Sequence, residues 1–265
     1  MATASPSSTD PAPPQGELTL VGRLVDASNG TFLARDESGV QWLYKPVRGE
    51  APLRDFPDHT LGRREVAAYQ FSAVTGFDLV PPTFWHEGPF GVGSAQLWLE
   101  GAATDLVDLV LAEQVPNDSF GMVIGEDRHG RDVALIHADD PRLRRMALFD
   151  VLVNNADRKG SHIIHVAHDS DEVASPDVIR GVDHGLTFHA DDKLRTVLWG
   201  WAGQPLTEQE LALVSMGFVA AAEVLGEWLD HDEVTAAEQR AADLLADQRF
   251  PAVDDRWPLY PWPPL

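Results

Sequence analysis

The chain has 265 residues, no cysteine, and 20 basic against 42 acidic side chains, which gives a formal net charge of −22. This charge repels nucleic acid and anionic membrane surfaces, so we expect neither as a partner. The lack of cysteine excludes disulfides, thiolate metal sites and a cysteine nucleophile. The sequence shows neither a signal peptide nor an apolar run of roughly 18 residues that would span a membrane. We therefore expect a cytoplasmic protein.

Residues 1–16 are small, polar and rich in proline. Such a segment buries too little apolar surface to offset its ordering entropy, so we predict a disordered tail. Structure is expected to begin near Glu17. Three strand-like runs separated by turns follow, at about Leu18–Val25, Thr31–Arg35 and Val40–Lys45.

The third run ends at Lys45, and the turn between the first two contains Ser28-Asn29-Gly30. Asn-Gly supplies the positive φ that a tight hairpin requires. In kinases the first turn of such a meander covers the nucleotide phosphates, and a lysine of the third strand contacts them. We therefore interpret Lys45, Ser28, Asn29 and Gly30 as candidates for nucleotide binding. An ordinary antiparallel meander with an edge lysine is the alternative.

Residues Thr60–Thr75 show helical spacing, with Thr60 as the predicted N-cap and Gly76 as the predicted stop. Glu65 lies in the first turns of this helix. In kinases a helical glutamate pairs with the strand lysine and directs its ammonium towards the phosphates. We expect Glu65 to do so for Lys45; a glutamate favoured only by the helix dipole is the alternative.

A break of small residues occurs at Glu100-Gly101-Ala102-Ala103. It separates a predicted strand ending near Leu99 from an apolar segment, Thr104–Gln114, that we predict to be helical. A hinge between two lobes has this form, and its backbone groups can meet the edge of an adenine. Glu100 and Ala102 are the candidates for that contact.

A dense polar loop begins at Asn154, after a helix predicted to start at Pro141. The loop contains Asp157-Arg158-Lys159, and His162 stands five residues after the aspartate. An Asp-Arg pair with a ligand-type residue five positions on has the spacing of a phosphotransferase catalytic loop.

Two short strands are predicted next, Ile163–Val166 and Val178–Val182, with an acidic turn at 169–177 between them. The second strand ends at Asp183-His184-Gly185, the Asp-x-Gly that the catalytic-loop pattern requires. A second Asp-Arg-His, at Asp127–His129, lies between two strand-like runs and has no Asp-x-Gly at a useful distance. We interpret it as the turn of a hairpin.

Two helices and an aromatic tail are predicted at the C-terminal side. Thr207 and Glu210 form a predicted capping box for a helix that runs to about Asp230. A second amphipathic helix covers about Asp232–Gln248. The tail Trp257–Pro264 is extended and rich in tryptophan and proline. Because exposed tryptophan is disfavoured, we expect this tail to pack as a strap rather than to bind a partner.

These residues resemble the phosphatidylinositol 3- and 4-kinase-like superfamily, with its HipA-type protein kinases, and most closely a bacterial branch of it, over about residues 17–230. The resemblance rests on Tyr44-Lys45-Pro46, Arg64-Glu65, Asp157-Arg158 with Ile163 after it, and Asp183-x-Gly185. It implies an α+β, bilobal kinase-like fold, with a β-rich N-lobe at 17–101 and a helical C-lobe at 102–265. It also implies ATP, Mg²⁺ or Mn²⁺, and phosphoryl transfer to a protein or small-molecule hydroxyl.

Carried over by position, the resemblance implies Lys45 on the α and β phosphates, with Glu65 as its orienting partner. It implies Asp157 as the catalytic base and Asp183 as a metal ligand. The family has histidine directly after Asp-Arg and asparagine five residues after the aspartate. Here Lys159 stands in place of that histidine and His162 in place of that asparagine.

This departure leaves three interpretations open. Imidazole is a poor ligand for Mg²⁺ and a better one for Mn²⁺, and Asn155 or Ser161 are alternative oxygen donors. The chain is then an active kinase with an altered metal preference, a nucleotidyltransferase on the same fold, or a nucleotide-binding pseudokinase that acts as a sensor. Lys159 either offsets charge on a transferred phosphoryl group or caps the loop.

Overall fold

The structure is a computed structural model that describes residues 12–24, 29–166, 178–253 and 258–265. Within these ranges the chain is α+β, as predicted. The strands are β1 (Thr19–Arg23), β2 (Phe32–Arg35), β3 (Gln41–Pro46), β4 (Thr83–Gly88), β5 (Gly91–Leu97), β6 (Gly101–Ala103), β7 (Val107–Leu111), β8 (Ser119–Glu126), β9 (Asp132–Ala138), β10 (Ile163–Val166) and β11 (Val178–Gly181). The helices are α1 (Leu61–Thr75), α2 (Pro141–Val153), α3 (Glu208–Leu225) and α4 (His231–Asp247).

Four parts of the sequence predictions fall outside the described residues. They are most of the N-terminal tail (1–11), Ser28, the acidic turn (169–177) and Trp257. Among the residues that are described, no helix is both long and apolar enough to cross a membrane.

The first three strands lie where the sequence predicts them, in an antiparallel sheet of order β1-β2-β3-β5-β4. Burial alternates along β3, so Trp42 and Tyr44 are buried on one face of the sheet. Successive side chains of a strand point to opposite faces, which places Lys45 on the other face. Its neighbour across the sheet is Ser94 on β5. Lys45 therefore projects from a strand that is hydrogen-bonded to a neighbouring strand on each side.

Two further sheets have the orders β11-β10-β6 and β7-β9-β8. The helix predicted over Thr104–Gln114 is wrong, because this segment contributes a strand to the second of these sheets. The segment instead contains β7, which pairs antiparallel with β9 from Val107–His137 to Leu111–Val133, and a short 3-10 turn at Ala112–Gln114. Pairing with a distant strand satisfies the backbone of this segment, and tertiary context of this kind overrides local helical spacing.

All four helices contribute to the larger hydrophobic cluster of the molecule, which is separate from the small cluster on the β1–β5 sheet. Helix α1 buries Ala67, Ala68 and Phe71 there, and it packs against α3. The predicted capping box is confirmed, since Thr207 and Glu210 bond reciprocally at the start of α3. The helix that carries Glu65 is thus part of the helical core.

Thr60 is the N-cap residue of α1, as predicted, but the side chain that caps the helix is that of Glu50. The Glu50 carboxylate accepts hydrogen bonds from the backbone N–H groups of Leu61 (3.2 Å) and Gly62 (2.9 Å). The Thr60 side chain makes no capping bond. The predicted stop is confirmed, since Gly76 adopts a left-handed conformation with φ 78°. Glu50 also joins the loop after β3 to the helix that follows it.

Asp36 organises the turn between β2 and β3. Its buried carboxylate accepts hydrogen bonds from the backbone N–H groups of Gln15 (3.1 Å), Ser38 (2.9 Å) and Val40 (3.0 Å) and from the Trp42 indole (3.1 Å). Burial raises the pKa of Asp36, but the hydrogen bonds outweigh it and lower the pKa to about 2. The turn therefore depends on an ionised carboxylate.

Asp36→Asn should lower the free energy of unfolding at neutral pH by about 2 kcal/mol, because the amide nitrogen would face donors that now meet a carboxylate. An unfolded aspartate has a pKa of about 3.9. The stabilisation is therefore complete above that pH and is lost as the pH falls towards about 2. Urea unfolding at a series of pH values should show the two proteins converging in acid. Asp118→Asn, at an exposed carboxylate, is the control, and a difference that is constant with pH would contradict the assignment.

Candidate active site

Lys45 lies between two carboxylates that come from different parts of the fold. Its Nζ is 2.5 Å from Glu65 Oε1 on α1 and 2.9 Å from Asp183 Oδ1, two residues after β11. The other Glu65 oxygen accepts a hydrogen bond of 2.7 Å from the Ser94 hydroxyl. The structure thus brings together three residues that the sequence singled out: Lys45, Glu65 and Asp183.

The charges of Lys45 and Asp183 stabilise each other, whereas burial raises the pKa of Glu65. Burial alone would lower the pKa of Lys45, but the carboxylates of Asp183 and Glu65 outweigh it and raise that pKa. The Lys45 ammonium in turn holds the pKa of Asp183 well below its usual range. A fixed ammonium beside an ionised aspartate is the arrangement that a nucleotide triphosphate with its metal would meet.

Asp157 lies in the loop after α2, next to Lys159 and His162. The Lys159 Nζ is 3.2 Å from Asp157 Oδ2. The backbone N–H of Asp157 donates to Asn155 Oδ1 (3.0 Å), and its carbonyl oxygen accepts from His162 Nδ1 (2.9 Å). Burial raises the pKa of Asp157. The carboxylate is therefore held in place and is a better proton acceptor than an exposed aspartate.

The imidazole of His162 is oriented as a ligand. Because Nδ1 faces the carbonyl oxygen of Asp157, the ring proton belongs on Nδ1 and Nε2 carries a lone pair. Nε2 lies 3.5 Å from Asp183 Oδ2. Burial lowers the pKa of His162, which favours the neutral ring. Two electron-pair donors that face each other at this distance fit a cation bound by both, so the donor set suits a divalent metal.

Asn155 does not take the place of the family asparagine as an oxygen ligand. It is buried, its Oδ1 accepts from Asp157 N–H, and its Nδ2 donates to Asp150 Oδ1 (3.0 Å). Ser161 is exposed on the loop. The described residues hold no group of three or more histidine, aspartate or glutamate side chains arranged for a metal. A metal at Asp183 and His162 would therefore take its other ligands from phosphate oxygens and water.

A cavity of about 170 Å³ lies at this site, although neither Lys159 nor His162 is among its lining residues. Its lining includes Lys45, Glu65, Asp157 and Asp183. Asn29 also lines it, as the sequence led us to expect of this turn. These residues therefore share one space, although they come from five separate segments of the chain.

The turn before β2 is fixed to the segment after β3. Asn29 Oδ1 accepts a hydrogen bond of 2.8 Å from Ala51 N–H, and Gly30 N–H donates to Gly49 O at 3.0 Å. Of the three predicted turn residues, the structure thus places Asn29 in the cavity wall and Gly30 directly beside it.

Glu100 and Ala102 do not line this cavity. Ala102 lies in β6, paired with His165 on β10, and both Glu100 and Ala102 are exposed. β6 stands at the edge of its sheet, where a strand offers backbone groups to an incoming partner.

The second Asp-Arg-His forms the hairpin turn that the sequence predicts. Asp127 lies between β8 and β9 and accepts hydrogen bonds from the backbone N–H groups of His129 (2.8 Å) and Arg131 (3.0 Å). It is therefore a turn residue, separate from the catalytic loop.

Arg158 joins the segments that carry the site, and its role was missed in the sequence. It is completely buried and makes a bidentate pair with Asp150 of α2, with Nε 2.9 Å from Oδ2 and Nη2 2.9 Å from Oδ1. Its other hydrogens reach the carbonyl oxygens of His162 and Val182, each at 3.2 Å, and His184 Nε2 at 2.8 Å. One side chain thus connects α2, the catalytic loop and the Asp183 turn.

The sequence pattern singled out Arg64 only as the neighbour of Glu65, but in the structure Arg64 holds α1 in place. It is completely buried. Its Nη1 donates to Thr187 O (2.7 Å), and its Nη2 pairs with Glu233 at the start of α4. Helix α1 is thereby tied both to the segment after Asp183 and to the helical core. The one sequence signal for buried contacts of this kind is a charged residue on an otherwise apolar face of a helix, such as Asp150 of α2.

Comparison with known proteins places the chain in a family. Protein Rv2133c of Mycobacterium tuberculosis (strain ATCC 25618 / H37Rv) is 44% identical over 266 residues, which cover 94% of this chain and 92% of that protein. The chain belongs to the Rv2133c family. No protein-family profile matches it.

The chain has a kinase-like fold. A crystal structure of the Golgi casein kinase aligns with 91% of this chain and 77% of its own, with a TM-score of 0.50 and 14% identity. A crystal structure of the Helicobacter pylori proinflammatory kinase CtkA aligns with 88% of this chain and 92% of its own, with a TM-score of 0.48 and 11% identity. At 14% identity, the similarity to the Golgi casein kinase shows the fold alone, and the similarity to CtkA adds nothing to that conclusion.

Asp150→Asn should destabilise the protein by about 3–5 kcal/mol, because it leaves the buried Arg158 charge without its partner. Chemical denaturation would measure the loss. Asp127→Asn is the matched control, since Asp127 also pairs with an arginine but at the surface, at 2.7 Å from Arg131. Its effect should be much smaller. Equal losses in the two variants would contradict the role given to the buried pair.

Proposed function

We propose that the chain is an ATP- and metal-dependent phosphotransferase that acts on a hydroxyl group of a protein or small molecule. The observation that carries this proposal is the Lys45 ammonium held between Glu65 and Asp183, with Asp157 on the wall of the same cavity. Four residues in the chain order of a kinase meet in space as a kinase requires. The kinase-like fold supports the proposal.

The proposal includes a division into two lobes, with residues 17–101 over the nucleotide and 102–265 carrying the catalytic loop. The separate cluster on the β1–β5 sheet supports a distinct N-terminal unit, although α1, within 17–101, packs into the larger cluster with the other helices. The adenine would lie at the edge of β6, and the phosphates would lie under the Asn29 turn. The relationship to phosphatidylinositol kinases and HipA-type kinases stays a prediction.

In the reaction, the acceptor oxygen would attack the γ-phosphorus while the bond to the β–γ bridging oxygen breaks, and ADP would leave. Asp157 would take the proton of the acceptor hydroxyl. Lys45 would hold the α and β phosphates, oriented by Glu65. Lys159, 3.2 Å from Asp157 Oδ2, would offset negative charge on the transferred group. Most of the rate enhancement would come from positioning and electrostatics.

Asp183 and His162 would hold the metal. A divalent cation at this position neutralises charge on the phosphate oxygens. His162 contributes an imidazole nitrogen fixed by its bond to the Asp157 carbonyl, and Asp183 contributes the oxygen that faces it. A mixed nitrogen and oxygen donor set suits Mn²⁺ better than Mg²⁺.

Asp157→Asn should reduce ATP turnover at least about 100-fold while leaving ATP binding intact, because it removes the general base. Turnover with Mn²⁺ and Mg²⁺ and the ATP-induced thermal shift should be measured on the same samples. Asp127→Asn should keep wild-type turnover. Equal background turnover in wild type and Asp157→Asn would overturn the phosphotransferase proposal.

A nucleotide-binding pseudokinase is the second candidate, favoured by His162 at the asparagine position. It predicts a thermal shift with ATP, visible at roughly 100 times the Kd, without turnover. If wild type shows neither a shift nor turnover, both candidates fail.

His162→Asn should raise the ratio of Mg²⁺-dependent to Mn²⁺-dependent turnover about tenfold, because an amide oxygen replaces an imidazole nitrogen at the metal. Turnover against concentration of each metal would measure the change. His129→Asn, in the turn after β8, is the control and should leave the ratio unaltered. An unaltered ratio in His162→Asn would show that His162 is not a ligand.

A further inference from the structure

The segment Pro258–Leu265 lies against the catalytic loop. The backbone N–H of Gly160, between Lys159 and Ser161, donates a hydrogen bond of 2.8 Å to Pro264 O. Gly160 is buried, and a Cβ built on it would lie 2.7 Å from the Leu265 side chain. A side chain at this position therefore has no room while Leu265 stays in place. We call this C-terminal segment the strap.

The strap also reaches the loop by a second route. Leu259 O accepts hydrogen bonds from Thr196 N–H (3.1 Å) and from the Trp199 indole (2.9 Å). The segment around Thr196 runs beside the loop, since Arg158 N–H donates to Arg195 O (3.0 Å) and Val197 N–H donates to Arg158 O (3.1 Å). The strap, this segment and the loop thus form three layers joined by backbone hydrogen bonds.

These contacts lie next to two residues proposed to act in the reaction, Lys159 and His162. Gly160 begins the 3-10 turn Gly160–His162, so its position determines where His162 stands relative to Asp183. Lys159, which contacts Asp157, precedes it directly. The tail packs as a strap through Pro261 and Pro264, which are buried, whereas Trp262 is 80% exposed, contrary to the expectation that its tryptophan would be covered.

We propose that the strap is a positioning element of the active site: it holds Gly160 and thereby sets the places of Lys159 and His162. This inference rests on the proposed phosphotransferase function for its effect on turnover. Its effect on the loop itself is independent of that function. Loss of the strap contact would free the loop without removing any group that touches the nucleotide.

Gly160→Ala tests this role, because the new methyl group must displace Leu265. We expect amide hydrogen exchange at residues 160–163 to rise at least about tenfold. We expect turnover to fall about tenfold, as misplacement of catalytic groups by a fraction of an ångström does, with the KM for ATP unaltered. The double variant Gly160→Ala/Leu265→Ala removes the contact at 2.7 Å, while Val107 stays 3.3 Å from the new methyl group, and it should restore part of both.

Trp262→Ala is the matched control in the same segment. Trp262 is 80% exposed and should alter neither exchange nor turnover. Removal of residues 258–265 should reproduce the exchange increase at 160–163. The proposal fails if removal of residues 258–265 leaves exchange at 160–163 at the wild-type value, because the partly exposed Leu265 side chain can also move aside in Gly160→Ala without release of the loop. If wild type has no turnover, the phosphotransferase proposal fails, while the exchange results still decide the role of the strap.

Discussion

The buried ion pair between Arg158 and Asp150 is the interaction on which the site depends. Taking two charges out of water costs several kcal/mol per ion, and this is offset only with good geometry and full hydrogen bonding. Arg158 meets that condition, since it is bidentate to Asp150 and also reaches His162 O, Val182 O and His184. These partners belong to three segments. The Arg158 charge, which would destabilise the fold if it were buried without partners, therefore fixes the loop that carries Asp157 against the turn that carries Asp183.

Much of the site could be predicted because its signals are local. Lys45 follows from a short meander, Glu65 from a helix with a glycine stop, and Asp183 from a strand that ends in Asp-x-Gly. Each pattern is contiguous in the chain, the longest being the meander from Leu18 to Lys45, so one sequence suffices to see it. Their meeting around one cavity was inferred from a resemblance, and the Lys45 contacts at 2.5 and 2.9 Å support it.

The failures share a cause, which is a partner far away in sequence. Thr104–Gln114 has helical spacing, yet β9 draws part of it into a sheet. Thr60 is a good capping residue, yet Glu50 supplies the cap from across a loop. The sequence left Asn155 as a possible metal ligand, yet its side-chain amide is hydrogen-bonded to Asp157 N–H and to the Asp150 carboxylate. Which polar group meets which is decided by packing, and no local spacing encodes it.

The buried contacts of Arg64 bear on how such a protein would be switched. In many kinases the helix that carries the glutamate swings outward in the inactive state. Here an outward swing would separate Arg64 from Thr187 and Glu233 and leave a buried charge alone. That costs about 3–5 kcal/mol, which keeps the displaced state below about one molecule in a hundred. The Arg64 contacts therefore oppose movement of α1 and keep Glu65 beside Lys45.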